Sequence, residues 1–511
     1  MPRGWIEATL GDILPIQYGK GLVEANRDKN GQVPVYGSSG IVGSHNQAFT
    51  SKATLIVGRK GSVGSVYYSP IPCWPIDTTY FVEESNNVDL RFFLYLLSFL
   101  QLGRLDKSTA VPGLSRDDYN AVEVTIAPFA EQQRIVPAIE QQFTLLDAGL
   151  AALRQAQAKL KHYRASVLKA AVEGKLTEAW RAEHPTTEPA SILLENILRE
   201  RRAKWETDLK AKGKDPEKVK YVEPAKPNME GLPELPEGWC WATLEQLSDE
   251  NRAITYGVVK LGEPVIGGVP TLRSSNVRHL RFDLEGLKSI SPAIANGYKR
   301  TFLQGSEILV TVRGTLGGVA VVPVDFAGFN ISREVAMIAC VLPALAPCLA
   351  LFIGSPPIQD WMMRSTKGIA YTGINIETLK EAIIPLPPLA EQEQIVSEVE
   401  RRLSVITQLE AIVEANLKRA ERLRQSILKE AFAGRLVPQD PNDEPASVLL
   451  ERIHKEREGR KNGNVGNGRY VDVSGEPVKI DVEGTRQVEL WEGVGGEDRG
   501  KAGIESYSGG L

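Results

Sequence analysis

The sequence predicts an α+β protein in which two mixed α/β domains alternate with two long helices. The helices are expected to pair as an antiparallel coiled coil, with the halves related by an internal pseudo-twofold repeat. Three observations predict this architecture. A stretch of more than forty residues occurs twice, displaced by 260 positions. Each copy spaces its apolar residues alternately by four and three, the spacing of one helical face. The segments ahead of the two copies share scattered anchors and differ elsewhere.

The duplicated stretch opens with Ala130-Glu131-Gln132-Gln133-Arg134-Ile135-Val136, which returns as Ala390-Glu391-Gln392-Glu393-Gln394-Ile395-Val396. Register holds without a gap through Arg164/Arg424, Leu168/Leu428, Ala171/Ala431 and Gly174/Gly434. After a slip of four residues, Glu188-Pro189-Ala190-Ser191 returns as Glu444-Pro445-Ala446-Ser447. Chance likeness between two helices does not keep register so long, so the stretch is a duplication. Leu146, Leu150, Leu153, Leu160, Val167 and Ala171 mark the seam of the first copy. Leu403, Ile406, Val413, Leu417, Ala420, Ile427 and Ala431 mark that of the second. Such seams bury themselves against a partner helix, and the simplest partner for one copy is the other. Gly174 and Gly434 suit helix C-termini, where a left-handed residue is commonly required. The plainer alternative is a pair of spacers or a homodimer seam.

The segments ahead of each copy correspond more loosely. Gly4-Trp5 matches Gly238-Trp239, Ser38-Ser39 matches Ser274-Ser275, and Lys60-Gly61-Ser62 matches Arg313-Gly314-Thr315. Strand-like runs at 54–57, 63–68, 308–312 and 319–324 alternate with glycine-rich turns. Helices are expected at 90–102 and 346–364. Four loops combine glycine with small polar or basic residues. Tyr36, Ser38, Ser39, Arg59, Lys60 and Ser62 lie on the first two; Arg273, Ser274, Ser275, Asn276, Arg278, Arg313 and Thr315 lie on or beside the others. Glycine lets a backbone approach a ligand closely, while Arg, Lys, Ser and Asn can bond base edges or phosphates. Taken singly, each loop reads more simply as a turn. Their matched occurrence in both halves makes all thirteen residues candidates for contact with DNA.

Composition narrows the function. With 511 residues and 42% hydrophobic content, the chain is long enough for several folding units and too apolar to be wholly disordered. Its four cysteines lie far apart without a C-x-x-C pair, which excludes a disulfide scaffold and fits a reducing cytoplasm. The start shows no signal peptide. The longest apolar run, 341–354, is broken by Pro343 and Pro347 and is too short for a bilayer. The formal net charge of −4 is held entirely by residues 462–511, where 9 acidic residues meet 5 basic ones. No segment has the strongly basic body of a protein that binds DNA through phosphates alone. Charge is permissive of DNA binding and does not demonstrate it.

No catalytic constellation is present. An amino-methyltransferase needs an Asn/Asp-Pro-Pro-aromatic loop, and the nearest strings, Ser355-Pro356-Pro357-Ile358 and Leu386-Pro387-Pro388-Leu389, lack both ends of it. Gly495, four residues, then Gly500-Lys501 echo a phosphate-binding loop, but Ala502 stands where Ser or Thr must hold magnesium. The five histidines show no metal-ligand spacing. The chain therefore reads as a non-catalytic binder.

On these residues the chain resembles the specificity (S) subunits of type I restriction-modification enzymes. The likeness rests on Pro128 with Ala130-Glu131-Gln132 and Ile135, and on Pro387-Pro388-Leu389-Ala390-Glu391-Gln392 with Ile395. It continues in Ser166-Val167-Leu168-Lys169-Ala170-Ala171 with Gly174-Lys175-Leu176, and in Ser426-Ile427-Leu428-Lys429-Glu430-Ala431-Phe432 with Gly434-Arg435-Leu436. It covers about residues 1–461. The resemblance implies a first target-recognition domain at 1–127 and a first central helical region at 128–206, with its long helix near 131–174. A linker at 207–236 follows. The second recognition domain is then 237–386, and the second helical region 387–461, with its long helix near 391–434. Residues 462–511 are left as a flexible tail. Each recognition domain is expected to read one half of a bipartite double-stranded DNA target. The helices would set the spacer and dock two methyltransferase (M) subunits, joined by restriction (R) subunits. Glu131, Gln132, Ile135, Glu391, Gln392 and Ile395 become the expected partner contacts. S-adenosylmethionine, ATP and magnesium belong, on this likeness, to the partners, and no membrane is involved. The main rival is a coiled-coil adaptor joining two protein-binding domains without DNA readout. A self-contained methyltransferase is the remoter one.

Overall fold

The computed structural model describes residues 1–106, 113–366 and 373–462. The expected tail and its phosphate-loop echo lie outside the described residues. The chain divides into a unit spanning Met1–Leu450 and a second beginning at Glu451, whose described part continues the helix Ala446–Asn462.

Both variable segments are built from the same three sheets. In the first, a four-stranded sheet runs in the order Gln17–Tyr18, Thr79–Glu83, Thr54–Gly58, Val66–Ser69. The second has Thr255–Tyr256, Val335–Ile338, Ile308–Thr311 and Val319–Val321 in the same order. Thr54–Gly58 and Ile308–Thr311 are buried along their whole length, as central strands with apolar side chains on both faces must be. A three-stranded sheet centres on Val33–Gly37 or Val269–Leu272, each with one antiparallel and one parallel neighbour. A two-stranded ribbon closes each segment: Ile6–Thr9 with Glu123–Ile126, and Cys240–Thr243 with Ile383–Leu386. The second segment adds a short hairpin, Val277–Arg278 with Arg281–Phe282. The register of 260 thus begins earlier than the helices. Ser115 and Asn375 each cap a short helix, and the closing strands follow at matching positions.

The expected helix at 90–102 is found as Leu90–Leu100. The one at 346–364 is instead two helices, Ala346–Ile353 and Pro356–Arg364. Two consecutive prolines cannot donate to a preceding turn, so Pro356-Pro357 start a new helix after Gly354-Ser355 rather than extending the old one.

Two helices of 44 residues, Phe129–Val172 and Leu389–Phe432, join the segments, each about 66 Å long at 1.5 Å per residue. They lie side by side and run in opposite directions. Arg164 donates to Thr407 Oγ1 at 3.1 Å and to Glu410 at 2.9 Å, whereas Arg424 pairs with Asp147, so advance along one helix is retreat along the other. Ile406, Val413 and Ala420 are buried, while Leu146, Leu150, Leu153 and Leu160 are half-buried, because a pair of helices covers each from one side only. Both helices end as expected at left-handed glycines, Gly174 at φ +69° and Gly434 at φ +67°. A Cβ at either would meet a proline Cγ at 2.5 Å, Pro236 in one case and Pro2 in the other, so close approach also demands glycine. Ala190–Ala211 extends several residues into the expected linker. No helix among the described residues is long and apolar enough to cross a membrane.

Candidate nucleic-acid interface

The four nominated loops converge in pairs, one pair in each half. In the first half, the Gly61 turn lies beside Ser38: a Cβ built on Gly61 would stand 3.1 Å from Ser38 Oγ. In the second, Gly314 stands in the same relation to Ser274, again at 3.1 Å. The basic loop is anchored identically in both. The backbone N–H groups of Arg59 and Lys60 both donate to Thr78 O, and those of Val312 and Arg313 both donate to Glu334 O. Leu114 N–H donates to Arg59 O and Ile374 N–H to Val312 O, both at 2.9 Å. Lys60 and Arg313 therefore occupy equivalent positions, as the sequence comparison expected.

The nominated residues divide by burial. Ser39, Lys60, Arg313 and Thr315 are exposed; Ser38, Arg59, Ser62, Arg273, Ser275 and Arg278 are half-buried. Three nominations are corrected. Tyr36 packs in the core with Ile56 and Cys73, and burial raises its phenol pKa. Asn276 is wholly buried and ties its own turn, donating to Asp283 O at 2.9 Å and accepting from Arg273 N–H at 3.1 Å. Ser274 is buried against Glu334, to which its hydroxyl donates at 2.8 Å. Small polar residues in a glycine-rich turn serve the turn first, as Ser274 and Asn276 do, and all three side chains are buried in the protein. Arg273 and Arg278 are also engaged, with Gly286 O and Asp283 respectively. Glu334, which binds both loops of the second half, was missed: nothing in the sequence marks an isolated glutamate as the tie between them.

The six residues expected to contact partners are all buried inside the chain. Trp5 Nε1 donates to Glu131 at 2.9 Å, and Trp239 Nε1 donates to Glu391 at 2.8 Å. Gln132 and Gln392 donate to Ala127 O and Pro387 O, and Ile135 and Ile395 lie in the core. Side chains so enclosed hold the helix starts in place and present no surface to another protein. Each junction also crosses between halves. Ala446 N–H donates to Gly4 O and Ala190 N–H to Gly238 O, both at 2.8 Å. The junctions differ in charge. Glu391 is met by Thr177 at 2.6 Å and by the Arg181 guanidinium. Glu131 has Trp5 on one oxygen and no hydrogen-bond partner on Oε1, and burial raises its pKa above the ordinary carboxylate value.

Among the described residues no group of His, Cys, Asp and Glu could hold a metal ion. All four thiols are unpaired, and burial pushes Cys340 up to about 12, far from a reactive thiolate.

A family profile described as "Type I restriction modification DNA specificity domain" matches residues 2–153 and 256–419, once on each half. The EcoBI specificity subunit of Escherichia coli is 29% identical over 415 residues, 79% of either chain. The EcoDI specificity subunit of the same species is 24% identical over 472 residues, 89% of this chain and 96% of its own. A chain solved in work on complex assembly and conformational transition of the type I R-M system superposes with a TM-score of 0.55 at 16% identity. It covers 85% of this chain and 99% of that one, a likeness of fold. With one domain of this kind matched on each half and together spanning more than half of its length, the chain belongs to the type I restriction-modification DNA specificity family, as a specificity subunit that recognises a DNA target.

Proposed function

We propose that the chain reads a bipartite double-stranded DNA target, each variable segment (1–127 and 237–386) taking one half-site. The observation that carries this reading is the pair of convergent loops presenting an exposed cation at equivalent positions, Lys60 in one half and Arg313 in the other. Unlike loops on like frames suit unlike half-sites. Arginine can grip the two acceptors of guanine through a fork of donors, whereas lysine offers a point charge. The long helices act as an antiparallel coiled coil about a pseudo-twofold axis and set the distance between half-sites at roughly one turn of B-DNA. Support comes from contacts that recur with exchanged partners. Arg164 and Arg424 are equivalent, and so are Thr407 and Asp147, and each arginine meets the other helix's member of that pair.

The same helices dock two methyltransferase subunits, with restriction subunits completing the complex. The buried Glu131 and Glu391 clusters shape the junctions, and the docking itself falls to outward faces. Val405, Leu409 and Ile412 lie four and three residues apart on one exposed side of the second helix, with Leu145 at the position matching Val405 on the first. Methyl transfer and cleavage lie with the partners, which would bring S-adenosylmethionine, ATP and magnesium. The test is co-expression with methyltransferase subunits, followed by mapping of methylated adenines across the genome. A split motif with a constant spacer is expected, and methylation without sequence preference would favour the adaptor reading. Replacing Arg313 by Ala should relax one base position in one half-site by about 10-fold or more, the value of a good bidentate contact.

A further inference from the structure

We propose that Tyr18 and Tyr256 are equivalent aromatic seats that hold an arginine ready for base reading, one in each half. This rests on the DNA-reading function proposed above and names positioning residues for it. Strand register makes the two tyrosines equivalent. Tyr18 pairs with Tyr80, which pairs with Val57; Tyr256 pairs with Ala336, which pairs with Val310. Both lie on the edge strand of the four-stranded sheet, beside the anchored basic loop. In each half a guanidinium lies over the ring: Arg59 Cζ is 5.4 Å from the Tyr18 centroid, and Arg313 Cζ is 5.5 Å from that of Tyr256. The cations come from adjacent rather than equivalent loop positions, since Arg59 corresponds to Val312 and Lys60 to Arg313. Two different sequence solutions thus arrive at one arrangement.

The arrangement suits a reader more than a strut. Tyr18 is 51% exposed although its neighbour Tyr80 is buried, and Arg313 is exposed with no hydrogen-bond partner for its guanidinium among the described residues. A flat ring beneath a flat cation limits how the fork can turn while leaving its N–H edge free. Arg59 is held further: Nε and Nη2 donate to Asp77 O at 3.1 and 2.7 Å, and Tyr80 lies 5.9 Å from it. Two of its five donors are engaged, and the other three have no partner among the described residues. The first half therefore presents a stiffer reader with Lys60 at its side, and the second a single fork that bonds no other described residue.

The experiment selects from a randomised duplex DNA library with the full-length chain assembled with its methyltransferase subunits. Tyr256→Ala is expected to lower preference about three- to five-fold at one base position of one half-site, the scale of a lost cation–π contact. Affinity for non-specific duplex and the other half-site should stay unchanged. Tyr18→Ala should lower preference at one position of the other half-site by a smaller factor, about two-fold, since Asp77 O and Tyr80 still hold Arg59. Phe at either position keeps the ring and should restore the wild-type pattern. Should an Ala variant lower the melting temperature, Arg313→Lys, which keeps the charge and the fold, must relax the same position that Tyr256 supports. The proposal is overturned if the Ala variants leave the selected motif intact, weaken all duplexes equally, or alter both half-sites. A wild-type complex without base preference would overturn the DNA-reading function itself.

Discussion

Glu131 and Glu391 occupy the same position of a duplicated helix and meet equivalent tryptophans, Trp5 and Trp239, yet their electrostatics differ. Glu391 is wholly buried and paired with Arg181, whose side chain is 19% exposed. Removing one member of a buried pair leaves the other charge uncompensated, so Glu391→Gln should cost about 3 kcal/mol in a denaturant melt. Glu131 has no such cation on its free oxygen, and burial raises its pKa above the usual 4.5. A folded state that binds the proton more tightly than the unfolded one has its full stability below the unfolded pKa and loses it as pH rises through the folded one. Glu131→Gln keeps the acceptor for Trp5 without the charge, so it should melt higher than wild type at pH 7.5. That advantage should shrink as pH falls toward 4. A lower melting temperature at pH 7.5 would show that the charge at Glu131 contributes to folding. The sequence declares these residues as a repeated motif but cannot say that the motif faces inward, because burial depends on Trp5 and Trp239 returning from more than a hundred residues away.

The second long helix carries apolar residues on two sides, one buried against the first helix and one exposed. The seam residue Val413 is buried and Ile412 beside it is 55% exposed, since neighbours in a helix point about 100° apart. Val413→Glu should cost several kcal/mol by placing a charge between the helices. Ile412→Glu should change stability by no more than about 0.5 kcal/mol while reducing recovery of methyltransferase subunit on size-exclusion chromatography. Equal recovery for Ile412→Glu and wild type would remove this face from the docking surface. Element boundaries were legible where local chemistry decides them, as at Gly174 and Gly434. The break at Gly354–Ser355 was legible too, in Pro356-Pro357, but the apolar run around it masked the stop. In the variable segments, the buried strands could be read from continuous apolar runs. The fate of Tyr36, Ser274 and Asn276 could not, because a polar turn residue looks the same whether it bonds its own backbone or a ligand.

At the scale of the molecule, the proposed function gives each variable segment one half-site and the two long helices the spacing, so length and specificity should be separable. Inserting four residues at matched positions in both long helices should lengthen the spacer in the methylated motif and leave both half-sites unchanged, as seen by genome-wide mapping of methylated adenines. Altered half-sites with an unaltered spacer would contradict this division of labour. The sequence by itself determined the duplication, the long helices with their glycine ends, and the family, because periodicity and repeated motifs are local and survive without knowledge of neighbours. Only the tertiary structure decided which loops meet, which nominated side chains are spent inside the protein, and that Tyr18 and Tyr256 underlie the arginines. Those outcomes depend on contacts between residues distant in the chain, such as Gly4 with Ala446 and Gly238 with Ala190, and on strand register, neither of which spacing along one chain encodes.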